Sequence, residues 1–443
     1  MILSYMRSRP AALLATALVL ILAACGDSSN LPEEAAVGPD PTIPPPHTSY
    51  IPTVHIARAK GWPDEGRPTA NGNLVVNAFA RKLDHPRWLY VLPNGDVLVA
   101  ETDGPERPGT GNNIRGWISR VVQRWAGSDT KSADRITLLR DKDGDGVAET
   151  RTVFLKGLHS PFGMALVGDG LYVANTDAIM RFKYQAGATE IIAPGEKVAD
   201  LPGGPINHHW TKNILASNDG TRLYATVGSN SNTGENGLAA ETMRASILEV
   251  DLKSGQARVF ASGLRNPNGM GWEPKTGQLW TVVNERDELG SDLVPDYLTS
   301  VKEGAFYGWP FSYWGQHVDD RVKPQNPEIV AKAVRPDYAL GNHVAPLGMT
   351  FADGAKLGER FANGAFVGEH GSWNRRPLSG YKVVFVPFAN GSPSGLPVDV
   401  LTGFVNEKDE ALGRPVGVAI ARDGALLVAD DVGNIIWRAS AAH

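Results

Sequence analysis

One pattern recurs six times along this chain of 443 residues. A short lead-in, usually carrying Pro, precedes an apolar stretch. A turn with Gly or Asp follows, then a second apolar stretch ending near Asp, Glu or Asn. The copies open at His85-Pro86-Arg87, His159-Ser160-Pro161, His209-Trp210-Thr211-Lys212, Arg265-Asn266-Pro267, Val344-Ala345-Pro346 and Arg414-Pro415. They close at Thr102, Asp177, Asn232, Asp287, Asn374 and Asp431. Apolar alternation around an NG, DG or KTG turn is the mark of a β-hairpin. Further strand pairs lie between copies, such as Ser246 to Leu264. Two hairpins make a four-stranded blade, and blades stacked radially make a propeller. The chain therefore reads as all-β, a six-bladed β-propeller of four-stranded blades, with a β-sandwich pair or a β-helix as the rival. The 49 Gly and 31 Pro fit many short strands joined by turns.

The N-terminus reads as a targeting segment. Arg7 and Arg9 precede an apolar stretch from Ala11 to Leu22, too short for a comfortable membrane span. Leu22-Ala23-Ala24-Cys25 resembles a bacterial lipoprotein lipobox, in which the Cys is acylated. Cys25 is the only cysteine, so no internal disulfide can form. The expected organisation is a lipoprotein signal peptide over 1–24, a lipid-anchored, flexible Pro-rich tether over 25–51 and the propeller over 52–443. A plain cleaved signal or an uncleaved anchor is the alternative. The expected place is the periplasmic side of a bacterial membrane, attached only through the lipid. Gly26, not an acid, follows the Cys, which leans towards the outer membrane. A formal net charge of −5 argues against a general nucleic-acid surface.

In a propeller the loops feeding the innermost strands surround the central channel. His209, Arg265, Asn266 and Arg414 stand at like points of different copies. Far apart in sequence, they are expected to converge at one mouth.

The phrases LPNGDVLVAET, NHHWTKNILASNDG, GLRNPNGMGW, YGWP, EHGSWNR and GRPVGVAIARDGALLVADD resemble the soluble quinoprotein sugar dehydrogenases. The chain is most similar to the sorbosone dehydrogenase-like branch of the glucose/sorbosone dehydrogenase family, from about Leu74 onwards. The resemblance implies a six-bladed propeller with pyrroloquinoline quinone (PQQ) and Ca²⁺ at the channel mouth. It implies an oxidoreductase that oxidises aldoses or related sugar aldehydes.

Such a reaction moves a hydride from a carbon bearing oxygen to the quinone, and a base takes the hydroxyl proton. Imidazole suits that base because its pKa lies near neutrality. His209 matches the family's catalytic His, with neighbouring His208 as the competing choice. PQQ carries carboxylates, so cations must hold it. The resemblance places Arg265, Asn266 and Arg414 on the cofactor. It departs at Val416, where the family has a second arginine, and in the fifth copy, where a cofactor lysine is missing. His370 lies near that place, with Arg375 and Arg376 close by, and Lys212 could restore a charge. Tyr338 and His343 match pocket-lining positions, although blade packing explains them equally well.

The family's Ca²⁺ sits on two backbone carbonyls, which correspond here to Glu285 and Arg286, with Asp287 and Asp292 as nearby acids. The ion would polarise the quinone as a Lewis acid. A solvated acidic loop is the bland reading of that stretch. A second candidate Ca²⁺ site is Asp141, Asp143 and Asp145 in a D-x-D-x-D-G run. Its twelfth position is Thr152 rather than Glu, and Glu149 could supply a ligand earlier. A plain acidic hairpin turn explains it as well. Two other functions suit a Ca²⁺-binding propeller: a sugar lactonase, which needs carboxylates on the metal, and a non-catalytic binding protein.

Overall fold

A computed structural model describes residues 27–48, 53–105, 125, 127 and 131–442. Cys25 and the signal segment lie outside the described residues. Each of the six repeats forms the two inner strands of one antiparallel blade. Blade 1 is Pro86–Val91, Val97–Glu101, Arg135–Arg140 and Thr150–Lys156. Blade 2 is Met164–Val167, Gly170–Ala174, Ala178–Lys183 and Glu196–Asp200. Blade 3 is Ile214–Ala216, Arg222–Val227, Ser246–Asp251 and Ala257–Ser262. Blade 4 is Asn266–Trp272, Leu279–Asn284, Pro295–Ser300 and Tyr338–Asn342. Blade 5 is Pro346–Phe351, Gly364–Glu369, Lys382–Ala389 and Val398–Thr402, extended outward by Thr69–Ala70. Blade 6 is Pro415–Ile420, Leu426–Asp430 and Ile435–Ala441, completed by Leu74–Arg81 from the other end of the chain. That last pairing sets Leu74 against Ala441 and Arg81 against Ile435, and it closes the ring.

The inner strands meet around the channel because glycines let them. A Cβ on Gly269 of blade 4 would stand 2.5 Å from Met349 N of blade 5. A Cβ on Gly348 of blade 5 would collide with Val416 O of blade 6. One on Gly417 of blade 6 would lie 2.8 Å from Arg87 O of blade 1, and one on Gly163 of blade 2 would strike Ile214 N of blade 3. These glycines follow the lead-in Pro of their copies by two residues, so the repeat encodes the spacing of the ring. The channel end away from the lead-ins opens as a cavity of about 590 Å³. Leu89, Met164, Ile214, Met270, Met349 and Val418 line it, one from each inner strand.

The apolar core is divided. Six buried clusters lie one at each blade–blade interface, for example Trp88, Leu98 and Ile136 against Phe162, Met164 and Val173 between blades 1 and 2. Alternate residues of each strand face alternate neighbours, as the period of two dictates. Among the described residues no helix is long and apolar enough to cross a membrane.

The expected free tether differs from what is seen. Residues 27–48 run along the loops of blades 4 and 5. Asp27 Oδ2 accepts from Ser291 N at 2.6 Å, and Asn30 N donates to Asp292 Oδ2 at 2.8 Å. Ser29 N donates to Arg376 O at 2.7 Å, Gly38 pairs with Ala339, and His47 N donates to Leu289 O at 2.9 Å. An extended Pro-rich strand has no internal hydrogen bonds, and here the propeller's loops supply the partners.

Candidate active site at the channel mouth

Every inner strand starts, and every second strand ends, at one end of the ring. The residues just outside those two ends therefore form a single mouth.

On the blade 3 side, His209 Nδ1 lies 2.9 Å from Ser229 O and 3.1 Å from Ser229 Oγ. A carbonyl only accepts, so Nδ1 carries the proton and Nε2 keeps its lone pair. Among the described residues nothing bonds that Nε2. Burial, and then the nearby Arg265 charge, hold the imidazole well below its usual pKa. His209 is therefore neutral at neutral pH, whereas neighbouring His208 is exposed. Gly228 sits between His209 and Asn266, since a Cβ there would collide with His209 Cβ and Asn266 Oδ1. The sequence-matched base and the RNP asparagine thus share one wall. Lys212 does not reach that wall. It is wholly buried, and its Nζ donates to the carbonyls of His209 and Trp210 at 3.2 Å each. It fixes the turn that carries His209 instead of holding a ligand's charge.

On blade 4, Arg265 is buried among backbone and acid. Its Nη1 donates to Glu285 O at 2.5 Å, and its Nη2 to Asn232 Oδ1 at 2.9 Å and Asp287 Oδ2 at 3.0 Å. This corrects the carbonyl metal site. A cation on Glu285 O would sit against a guanidinium, so the residues present do not fit Ca²⁺ there. The Arg286 side chain is wholly buried, bonded to Glu285, Asp319, Pro310 O and Ser312 O. Asp292 is also turned away, because it takes Ser29 Oγ at 2.5 Å and Asn30 N at 2.8 Å. Asp287 alone of that group stays at the mouth, where Asn374 Nδ2 meets its other oxygen at 2.9 Å. His343 stands beside it, with Nδ1 3.8 Å from Asp287 Oδ1 and Nε2 3.0 Å from Gly290 O. Burial lowers its pKa.

Across the mouth, Asp431 of blade 6 gathers three blades. Arg87 Nη1 of blade 1 reaches its Oδ2 at 2.5 Å, and His370 Nε2 of blade 5 at 2.8 Å. His85 Nε2 stands 3.8 Å off. His370 and Arg87 hold the Asp431 carboxyl far below the usual carboxylate range, although burial opposes them. Burial pushes His370 down to about 4 in spite of the Asp431 charge. Arg414 lies at the mouth as expected, yet its Nη2 donates to Ala57 O at 3.1 Å and its guanidinium covers Tyr381 at 5.2 Å. Arg87 closes the circuit, 5.8 Å from the ring of Trp210 next to His209. Arg87, Ser229, Asn374 and Asp431 went unpredicted. Arg87 in the first lead-in and Asp431 at the sixth close were visible in the repeat, and only a comparison of like points would have singled them out.

Two further expectations are corrected. Tyr338 is on the outermost strand of blade 4, with its hydroxyl donating to Gly395 O at 2.9 Å, far from the channel. Arg375 binds Ser291 O, Pro377 O and Ser29 Oγ, so it fastens the N-terminal segment. The acidic run folds as foreseen for a turn, at the outer edge of blade 1 on the end away from the mouth. Ligand oxygens of Asp141, Asp143, Asp145 and Glu149 all lie within 4.8 Å of one another. Asp141 also takes Gly144 N at 2.7 Å and Gly146 N at 2.9 Å.

The mouth fits a polar, anionic ring compound. Three guanidiniums, from Arg87, Arg265 and Arg414, edge it. Arg87 Nε, Arg414 Nε, Asn266 Oδ1, Asn374 Oδ1 and Asp431 Oδ1 are buried there without a hydrogen-bond partner among the described residues. Buried polar atoms are rarely left so.

A six-bladed propeller with a ring of charged side chains at one channel mouth is thus defined. The chain belongs to the DUF7133 family, a domain of unknown function, which matches residues 93–440. An uncharacterised protein of Borreliella burgdorferi is 27% identical over 308 residues, covering 66% of this chain and 79% of that protein. The pyrroloquinoline quinone-dependent pyranose dehydrogenase of Coprinopsis cinerea is 27% identical over 293 residues, covering 52% of this chain and 39% of that protein. Its PQQ domain in the holo form superposes with a TM-score of 0.68 at 20% identity, over 87% of this chain and 100% of that domain. The relatives and structural neighbours of this chain thus include PQQ-dependent sugar dehydrogenases.

Proposed function

We propose that this protein is a PQQ-dependent dehydrogenase that oxidises an aldose or a related sugar aldehyde, sorbosone-like compounds included. The observation that carries the reading is His209: a neutral imidazole with Nδ1 tied to Ser229, beside Arg265 and Asn266, at the mouth of a six-bladed propeller. When bound, PQQ would supply the hydride acceptor. Arg87, Arg265, Arg414 and Asn266 would hold its carboxylates and oxygens. His209 Nε2 takes the proton of the sugar hydroxyl. Ser229 keeps the imidazole in the tautomer that can accept it, and Lys212 keeps the turn in place. Asp287 and Asp431 neutralise Arg265 and Arg87, which sets the charge that the mouth offers a polyanion. Those pairings occupy both oxygens of Asp287 and one of Asp431.

The carbonyl pair at Glu285 and Arg286 does not fit a mouth Ca²⁺, because Arg265 already occupies Glu285 O. Ca²⁺ is assigned to Asp141, Asp143, Asp145 and Glu149 as a structural ion. We also read Cys25 as acylated, with the protein on the periplasmic side of a bacterial membrane, the outer one by preference.

The test is reconstitution of purified protein with PQQ and Ca²⁺, followed by dye reduction with a panel of aldoses and aldehydes. Quinone binding with dye reduction is expected. No binding and no reduction would overturn the reading, and lactone hydrolysis without quinone would replace it.

A further inference from the structure

We infer that the channel mouth faces a lipid bilayer at close range, in place of hanging free on a tether. The inference rests on the lipid anchor proposed above and adds its geometry. Cys25 precedes Asp27 by two residues, a reach of at most about 7 Å of extended chain. Asp27 is already fastened: its N donates to Thr53 Oγ1 at 2.9 Å, and its Oδ2 accepts from Ser291 N at 2.6 Å. Ser29 and Asn30 bind Asp292, and Arg375 Nη2 donates to Ser29 Oγ at 3.0 Å.

Both receiving loops are mouth loops. The stretch from Asp287 to Asp292 follows the second strand of blade 4. The stretch from Asn374 to Arg376 follows the second strand of blade 5. They are joined by the Asn374–Asp287 hydrogen bond beside Arg265. The anchor therefore leaves the propeller at the rim of the mouth.

The rim carries apolar side chains close to where the anchor leaves, whereas the exposed Ile192 and Leu396 of the far end lie away from it. Val54, Ile206, Leu238 and Trp373 are exposed large apolar side chains on mouth-side loops. Val54 and Trp373 are neighbours, since His55 N donates to Trp373 O at 2.8 Å. Aromatic and aliphatic side chains of this kind suit the interfacial layer of a bilayer. The opposite end carries the acidic run Asp141–Glu149, which an anionic surface repels.

The test uses the full chain, exported and processed, in phosphatidylethanolamine–phosphatidylglycerol vesicles containing brominated acyl chains. A single fluorescent label is placed through Leu238→Cys or Ile206→Cys at the mouth, or through Ile192→Cys or Leu396→Cys at the far end. An acylated Cys25 has no free thiol to compete. Quenching at the mouth positions is expected to exceed that at the far positions at least fivefold. In an Asp27→Ala/Asp292→Ala background the ratio should fall towards one. Equal quenching on acylated protein overturns the orientation and leaves the anchor standing. A mature N-terminus without acyl mass overturns the anchor, and the orientation with it.

Discussion

His370 Nε2 lies 2.8 Å from Asp431 Oδ2, and that oxygen also receives Arg87. The carboxylate is almost wholly buried, with its second oxygen unpartnered. Removing its charge leaves a buried guanidinium uncompensated. Asp431→Asn is expected to destabilise the fold by about 3 kcal/mol. The Arg87→Met/Asp431→Leu pair should recover part of that loss. Urea unfolding of the three variants reads it directly, and an unchanged midpoint in Asp431→Asn would contradict the pairing.

The chemistry turns on His209. His209→Ala is expected to lower turnover by about 10³-fold, within the range of a lost general base, while PQQ titration still shows binding. The pKa of this imidazole is depressed, so it stays unprotonated below the ordinary histidine value of 6.5. The rate should accordingly hold level as pH falls through 6.5, and drop only further into acid. A pH profile that breaks near 6.5 would assign the base elsewhere.

Glycine at the inner strands is a steric requirement. Gly348→Ala pushes a methyl group into Val416 O, a backbone atom that cannot step aside. A loss of about 3 kcal/mol or more is expected, at the upper end of overpacking costs. Gly271→Ala meets the Phe351 ring edge at 3.1 Å and the flexible end of Met349 at 3.6 Å, and should cost far less. Thermal unfolding of the pair tests the order.

Glu369 is buried with one oxygen unpartnered, and burial pushes its carboxyl up to about 8. Its folded pKa exceeds the unfolded value, so the native state binds the extra proton. The resulting stability is full below about 4.5 and is lost as pH rises towards 8. Glu369→Gln should remove this loss and flatten the fall in stability between pH 5 and 8. Denaturation midpoints at a series of pH values would show it, and an unaltered slope would refute it.

The loop at Asp141 gives a metal prediction. Millimolar Ca²⁺ should raise the melting temperature by a few degrees, by mass action on the folded state, and chelator should reverse it. Asp143→Asn/Asp145→Asn should abolish the response. A melting temperature indifferent to Ca²⁺ would leave the run as a hydrogen-bonded turn.

The architecture was legible because a repeat states it six times over. Each copy pairs a Gly or Asp turn with period-two apolar residues, and each became the inner hairpin of a blade. The lead-ins likewise told which side chains would meet, and His209, Asn266, Arg265, His370 and Arg414 do share the mouth. What stayed hidden was the partner of each group. Arg265 takes Glu285 O 20 residues on, Lys212 turns back onto the carbonyls of His209 and Trp210 beside it, and Asp292 takes Ser29 from the far end of the chain. Tyr338 was misplaced because the loop from Val301 to Asp337 intervenes before the fourth strand of its blade. The Pro-rich segment was misread because its partners belong to loops about 260 residues away.

The pairing of Leu74–Arg81 with Ile435–Ala441 has a temporal meaning. A ribosome makes the first of these strands some 350 residues before the last. Until Ile435–Ala441 has been made, Leu74–Arg81 has no strand to pair with, and the blade 1 face at Leu89, Val97, Val99 and Leu139 lacks the blade 6 side chain of Ile436. The circle can be latched only after residues 435–441 have been made. A chain shortened by its last few residues would forfeit the latch as well as one strand.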